Sequence, residues 1–152
     1  PLDGRTIRAV IPGGVSSPPL KLDELDVGMD FDQLRDKGTM GGTSGVVVID
    51  DSVCLVRLTA RIAHFYHHES CGQCTPCREG SGWVAKMLDA IEAGHASQLD
   101  VDQVLDVIGS IEGNTICPLG DAIAMPIRGY LSKFREDFLE HVARGCCSYP
   151  AW

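Results

Sequence analysis

Cys71, Cys74 and Cys77 stand at C-x2-C-x2-C spacing inside Glu69-Ser-Cys-Gly-Gln-Cys-Thr-Pro-Cys-Arg-Glu-Gly80, and this stretch constrains the chain more than any other. Zinc sites usually take cysteines in separated pairs, whereas three thiolates wound this tightly, with a fourth from afar, suit one [4Fe–4S] cube. Pro76 biases Thr75 away from helical geometry and Gly72 lets the backbone approach closely, so the triplet is expected to be a loop coiled around a cofactor. On a straight helix Cys71 and Cys77 would point about 120° apart, at ~100° per residue.

A fourth ligand has to come from elsewhere. Four positions after Cys77, where a two-cluster ferredoxin places its next cysteine, stands Ser81, so one cluster is implied. Cys117 is the candidate: it sits in Asn114-Thr-Ile-Cys-Pro-Leu-Gly120, a break between two apolar-periodic segments, and the Cys-Pro pairing recurs in ferredoxin cluster motifs. Two other readings of the seven cysteines stay open at this point: a zinc site of four cysteines or of three with His67 or His68, and ordinary free thiols.

The chain is 152 residues long, 44% apolar and 22% charged, enough to bury one modest core or two small ones in a globular intracellular protein. A net charge of −8 leaves no basic stripe to displace counterions from phosphates, which argues against nucleic acid. No run of about 18 apolar residues is present to span a bilayer. The opening Pro1-Leu-Asp-Gly4 has neither a cationic segment nor an apolar one, so no signal peptide is read there. It also lacks a methionine, and the chain is expected to be a fragment, a processed product or part of a larger gene.

Residues 1–51 read as a partial sheet domain. Arg5 to Ile11 alternates as a strand stopped by Pro12-Gly-Gly14, and Ser16 to Leu20 is extended or turning. The acidic stretch from Asp23 to Asp30 reads as solvated, and Phe31 to Lys37 as a short helix stopped by Gly38. Val46 to Ile49 reads as a buried strand. The glycine-rich loop before it has no Gly-Lys-Ser/Thr and leads into a strand, so it reads as a turn rather than a phosphate cradle.

Residues 52–152 read as four helices. The first has Ser52 as a possible N-cap and carries Leu55, Leu58, Ile62, Phe65 and Tyr66 on one face. The second follows the cysteine loop with Trp83, Val84, Met87, Leu88 and Ile91. Asp100 with Gln103 resembles a capping box for the third, which carries Val104, Leu105, Ile108 and Ile111. The last keeps helical spacing from Ile123 to Val142. It either begins near Met125, with Pro126 in its first turn, or is kinked at Pro126.

Four helices joined by short loops prefer up-down-up-down order, which brings the first and third interhelical loops to one end. Those loops hold Cys71, Cys74, Cys77 and Cys117. Cys54, Cys146 and Cys147 fall at the other end, about 25 Å away at 1.5 Å per residue. Cys54 reads as a small core residue there, and Cys146 and Cys147 as surface thiols near a frayed tail.

These residues carry a family resemblance. Glu69 to Gly80, the 39 residues between Cys77 and Cys117, and Ile116-Cys-Pro-Leu-Gly-Asp121 resemble the flavin- and NADH-binding subunit of respiratory complex I, whose relatives occur in NAD-reducing hydrogenases and NAD-dependent formate dehydrogenases. Ile11 to Leu20 and Met29 to Gly45 look like the family's soluble-ligand-binding β-grasp module, and Ser52 onward like its cluster-bearing bundle. The resemblance implies an α+β chain with a partial β-grasp segment followed by an up-down-up-down four-helix bundle carrying one [4Fe–4S] cluster. It also implies that the FMN and NADH sites lie in an upstream domain, and that the β-grasp module begins before Pro1.

By the same resemblance the chain is an electron-transfer module within an NADH dehydrogenase (quinone)-type oxidoreductase. It would accept electrons from NADH-reduced FMN and pass them to other iron–sulfur subunits, on the cytoplasmic or matrix side, in the peripheral arm of a membrane complex or in a soluble complex. Its cluster ligands are expected to be Cys71, Cys74, Cys77 and Cys117. Arg78 could offset the cluster charge, or be solvated or paired with Glu79 or Glu69. His64, His67 and His68 read chiefly as surface or supporting residues. No catalytic residue is expected, because no Ser/His/Asp set, paired carboxylates or nucleophile motif stands out. The alternative is a structural zinc module whose metal ties two interhelical loops for protein binding.

Overall fold

The computed structural model describes residues 4–149, so Pro1 lies outside the described residues. The chain divides into two compact units, Pro1–Val53 and Cys54–Trp152.

The first unit is a small antiparallel sheet with a short helix. Strand β1 (Ile7–Ile11) lies between β2 (Leu20–Lys21) and β3 (Val47–Asp50), in the order β2-β1-β3. Val10 faces Leu20 on one side and Val48 on the other, and the register of β3 shifts between Ile7 and Ala9. Alternation puts Ala9, Ile11, Leu20 and Ile49 inside, where Leu34 of α1 (Phe31–Asp36) joins them. Asp30 caps α1 by accepting the Gln33 amide at 2.9 Å.

One expectation for this unit needs correction. The strand read as buried is an edge strand: Val46, Val47 and Val48 are about half exposed and only Ile49 is inside. Apolar composition favours a strand, but burial depends on strand order, and β1 takes the central place. The partner strand β2 starts only at Leu20, the last residue of the stretch read as extended or turning, and is too short to show a period. The glycine-rich loop is a turn, with the Ser44 amide on the Gly41 carbonyl at 2.7 Å. A Cβ on Gly13 would lie 2.3 Å from the Gly41 carbonyl carbon, so these glycines allow backbone to pack on backbone.

The second unit is helical: α2 (Leu55–Glu69), α3 (Thr75–Glu92), α4 (Gln98–Ile111), α5 (Leu119–Lys133) and α6 (Arg135–Arg144). Each of α2 to α5 packs on the next and α5 closes on α2, which makes the expected four-helix ring, with α6 laid across it. Leu55, Ile62, Leu88, Ile91, Ile108, Ile127 and Phe138 fill the core.

Four details of the helices differ from the sequence reading. Cys54 rather than Ser52 caps α2, its Sγ accepting the Arg57 amide at 3.3 Å. The capping box of α4 is Ser97 with Asp100, one turn earlier than Asp100 with Gln103. Phe65 and Trp83, read on core faces, are half exposed or more. The last helix is two: α5 starts at Leu119, well before Met125, so Pro126 is interior and buried, and the chain breaks at Phe134 (φ −123°, ψ 32°) before α6. Pro126 has no N–H to offer the Ala122 carbonyl, and the helix continues because Ile123, Ala124, Ile127 and Tyr130 around it are held in the core. Burial pushes the Tyr130 hydroxyl far above its ordinary value.

Candidate functional site

The loop from Ser70 to Cys74 and the loop from Glu112 to Pro118 meet. The Ile116 amide donates to Cys74 Sγ at 3.3 Å, across 42 positions of sequence. At the other end the α3–α4 turn reaches the end of α6: a Cβ on Gly94 would lie 2.0 Å from the Gly145 carbonyl carbon. Up-down order therefore brings the two cysteine-bearing loops together, as their lengths predict.

The triplet is only half a loop. Cys74 is the N-cap of α3, Thr75 and Pro76 are its first residues, and Cys77 lies in its first turn. The expectation of a wholly coiled loop fails because the first turn of a helix accepts proline, whose missing N–H has no partner to lose there. Gly72, at φ +79°, turns the remaining loop. Its carbonyl accepts Arg78 Nη1 at 2.9 Å, and its amide donates to Ser70 Oγ at 3.4 Å. Ser70 Oγ also shares a hydrogen bond with Cys77 Sγ at 3.2 Å. Arg78 further pairs with Glu79 at 2.8 Å, so it braces the loop.

Cys117 stands immediately before Pro118, the N-cap of α5. Thr115 Oγ1 donates to the Cys117 carbonyl at 2.9 Å, Asp121 accepts the Gly113 amide at 2.8 Å, and Arg128 pairs with Glu112. Gly120 leaves room for Thr115, whose Oγ1 would be 2.4 Å from an added Cβ. Cys77 is buried, Cys74 half-buried, and Cys71 and Cys117 exposed. Cys74 and Cys117 thus stand at the N-termini of α3 and α5, and no side chain caps either helix. Among the described residues, no three of these four sulfurs lie within 4.8 Å of one another.

The histidines take supporting places. His64 pairs with Asp89 at 2.9 Å, and His67 Nδ1 bonds the fully buried Ser81 at 2.9 Å, its ring lying where a Cβ on Gly82 would be. Beside the loop an apolar groove between α3 and α4 is lined by Pro76, Gly80, Trp83, Val107 and Ile111.

A second group is not visible in the sequence pattern. Cys54, His141 and Cys147 bring their ligand atoms within 4.8 Å of one another at the opposite end of the bundle. Cys147 is therefore not a loose surface thiol: Arg57 Nη2 donates to its Sγ at 3.2 Å. Burial works against the Arg57 charge, but the bond to Glu92 and the nearby Cys147, Glu92 and Cys54 outweigh it and hold the guanidinium above its ordinary value. The topology that sets Cys54 beside Cys147 is legible, and His141 at helical distance from the tail is the signal that could have completed the group.

A helical bundle presenting a cysteine triplet and a remote cysteine on adjoining loops at one end defines a class of iron–sulfur domain. The sequence pattern of the NADH-ubiquinone oxidoreductase-F iron-sulfur binding region matches residues 57–141, and the chain belongs to that family. It is 52% identical over 149 residues to the NADH-quinone oxidoreductase F subunit numbered 2 in Rhizobium meliloti (strain 1021), covering 98% of this chain and 35% of that one. It is 40% identical over 146 residues to the corresponding F subunit of Mycobacterium bovis (strain ATCC BAA-935 / AF2122/97), covering 96% and 33%. Among solved structures it resembles an NAD+-reducing [NiFe]-hydrogenase in the H2-reduced state, with a TM-score of 0.81 and 27% identity over 90% of this chain and 23% of that one. The chain spans about a third of the length of the curated relatives it matches.

Proposed function

We propose that Cys71, Cys74, Cys77 and Cys117 hold one [4Fe–4S] cluster, and that the chain carries electrons from NADH-reduced FMN, bound upstream or on a partner, to further iron–sulfur subunits of an NADH:quinone oxidoreductase-type assembly. The observation that carries this is the hydrogen bond from the Ile116 amide to Cys74 Sγ, which joins the remote cysteine's loop to the triplet. The thiol set fits such a group: all four donors are soft, three sit at helix N-termini, and two sulfurs already have hydrogen-bond partners of the kind that tune clusters. Zinc with sulfurs at about 2.3 Å would draw its ligands to within about 4 Å of each other, closer than this set stands. When bound, a cluster of this kind takes up and releases one electron at a time. This chain's residues shield Cys77 and leave Cys71 and Cys117 at the surface, where donor and acceptor can approach. We further infer that residues 1–51 act as a β-grasp segment and 52–152 as the cluster domain.

Replacing any of Cys71, Cys74, Cys77 or Cys117 with Ala should abolish the brown absorption and the stoichiometric iron and sulfide, while Cys54, Cys146 and Cys147 variants keep them. Full retention of iron in Cys117→Ala would remove the remote ligand, and stoichiometric zinc with no iron at these four cysteines would establish the structural-zinc alternative.

A further inference from the structure

We propose a second metal site, distinct from the cysteine loops: a zinc ion held by Cys54 Sγ, His141 Nε2 and Cys147 Sγ, with solvent in the fourth position, clasping the start of α2 to the end of α6. The buried Cys54 Sγ and the buried His141 Nε2 stand 3.3 Å apart, and Cys147 Sγ completes a triangle within 4.8 Å. Tetrahedral zinc, with sulfur at about 2.3 Å and nitrogen at about 2.0 Å, sets sulfur and nitrogen ligands about 3.6 Å apart, so little movement is needed.

The surroundings suit a metal as well as the spacing does. His141 Nδ1 donates to the Asp137 carbonyl at 2.7 Å, which puts the proton on that nitrogen and turns the lone pair of Nε2 toward Cys54. This is the arrangement that orients a metal-binding imidazole. Each sulfur receives an N–H: the Arg57 amide on Cys54 at 3.3 Å and Arg57 Nη2 on Cys147 at 3.2 Å. Two thiolates neutralise a dication, and Arg57 is itself balanced by Glu92 at 2.8 Å, so the enclosed group carries no net charge. Two cysteines and a histidine with borderline-soft donors favour zinc over magnesium or calcium. Zinc here would join residues 93 positions apart (54 to 147) and so tie the bundle's first helix to its last.

The test uses the intact chain, purified anaerobically with its iron, and measures zinc by elemental analysis and Co²⁺ substitution by visible spectroscopy. One zinc per chain is expected, and Co²⁺ should give thiolate charge-transfer and tetrahedral ligand-field bands. Cys147→Ser should lose these and weaken metal binding by more than about 100-fold, beyond the range for losing an outer partner. Cys147 is half-buried next to the tail, so that variant should keep its helical circular dichroism and its iron, and His141→Gln should repeat the zinc loss. Cys146→Ser should keep zinc. Absence of stoichiometric zinc, equal Co²⁺ binding in Cys147→Ser, or a Cys54–Cys147 disulfide in freshly isolated protein would overturn the site. Loss of iron only in the Cys71, Cys74, Cys77 and Cys117 variants tests the cluster separately.

Discussion

Ser97 and Asp100 show how much one short polar pair sets at the residue scale. Asp100 accepts from the Ser97 amide at 2.6 Å and from its hydroxyl at 2.7 Å, while Ser97 Oγ accepts the Asp100 amide at 3.4 Å. These bonds, the hydroxyl's first, hold the Asp100 carboxyl below its ordinary 3.8. A carboxyl lowered on folding adds stability above its ordinary value and loses that contribution as pH falls through the lowered one. Ser97→Ala should therefore destabilise the chain by about 1 kcal/mol near neutral pH in urea unfolding. The difference from the parent chain should shrink as pH falls below 3.8, and the Asp100 carboxyl, followed by NMR, should titrate closer to 3.8 in the variant. An unmoved Asp100 titration would mean that the box does not form in solution.

At the scale of elements, the contact between α3 and α4 sets the platform for the cysteines. A Cβ on Gly80 would stand 2.8 Å from Ile111 Cγ1 and 2.9 Å from its Cδ1, one turn beyond Cys77. Both positions are buried, so Gly80→Val overpacks the crossing and should cost about 1–3 kcal/mol. Thermal unfolding should show that loss, iron should be released sooner, and Ile111→Ala in the same chain should recover part of both. Equal losses with and without the Ile111 change would place the strain elsewhere. The elements themselves are legible in the sequence to different depths. Helical periodicity and loop length give α2 to α5 and the meeting of Cys74 with the Cys117 loop, because both rest on local spacing. The cap by Cys54 is not legible, since cysteine lies outside the usual capping residues. The break at Phe134 carries no glycine or proline, and the edge position of β3 depends on strand order, which no local pattern encodes. His141 is buried in α6, and nothing in its local spacing marks it as a partner of Cys54.

Across the whole molecule the two units differ in how much they bury. The helical unit holds Leu55, Leu88, Ile91, Ile108, Ile127, Tyr130, Leu131 and Phe138 almost wholly out of water, whereas the sheet unit relies on Ala9, Ile11, Leu20, Leu34 and Ile49. Its β2 is two residues long, and β3 is an edge strand with Val46, Val47 and Val48 about half exposed. Phe31 and Met29 are exposed too, at 89% and 58%. Three short strands with an apolar edge are marginal on their own and invite a further strand or a covering surface. Local stability tracks buried apolar contact, so hydrogen exchange should be fast for most amides of residues 5–50 and slow in the middle of α2 to α5. The Val10 amide region, flanked on both sides by strands, should be the slowest part of the sheet. Supplying a further strand or a covering surface for that edge should slow the sheet amides and leave the helical ones unchanged. Sheet amides as slow as those of α4 in the chain alone would mean that the five apolar residues and the sheet ladder already close the unit, and the exposed valines would then need no partner.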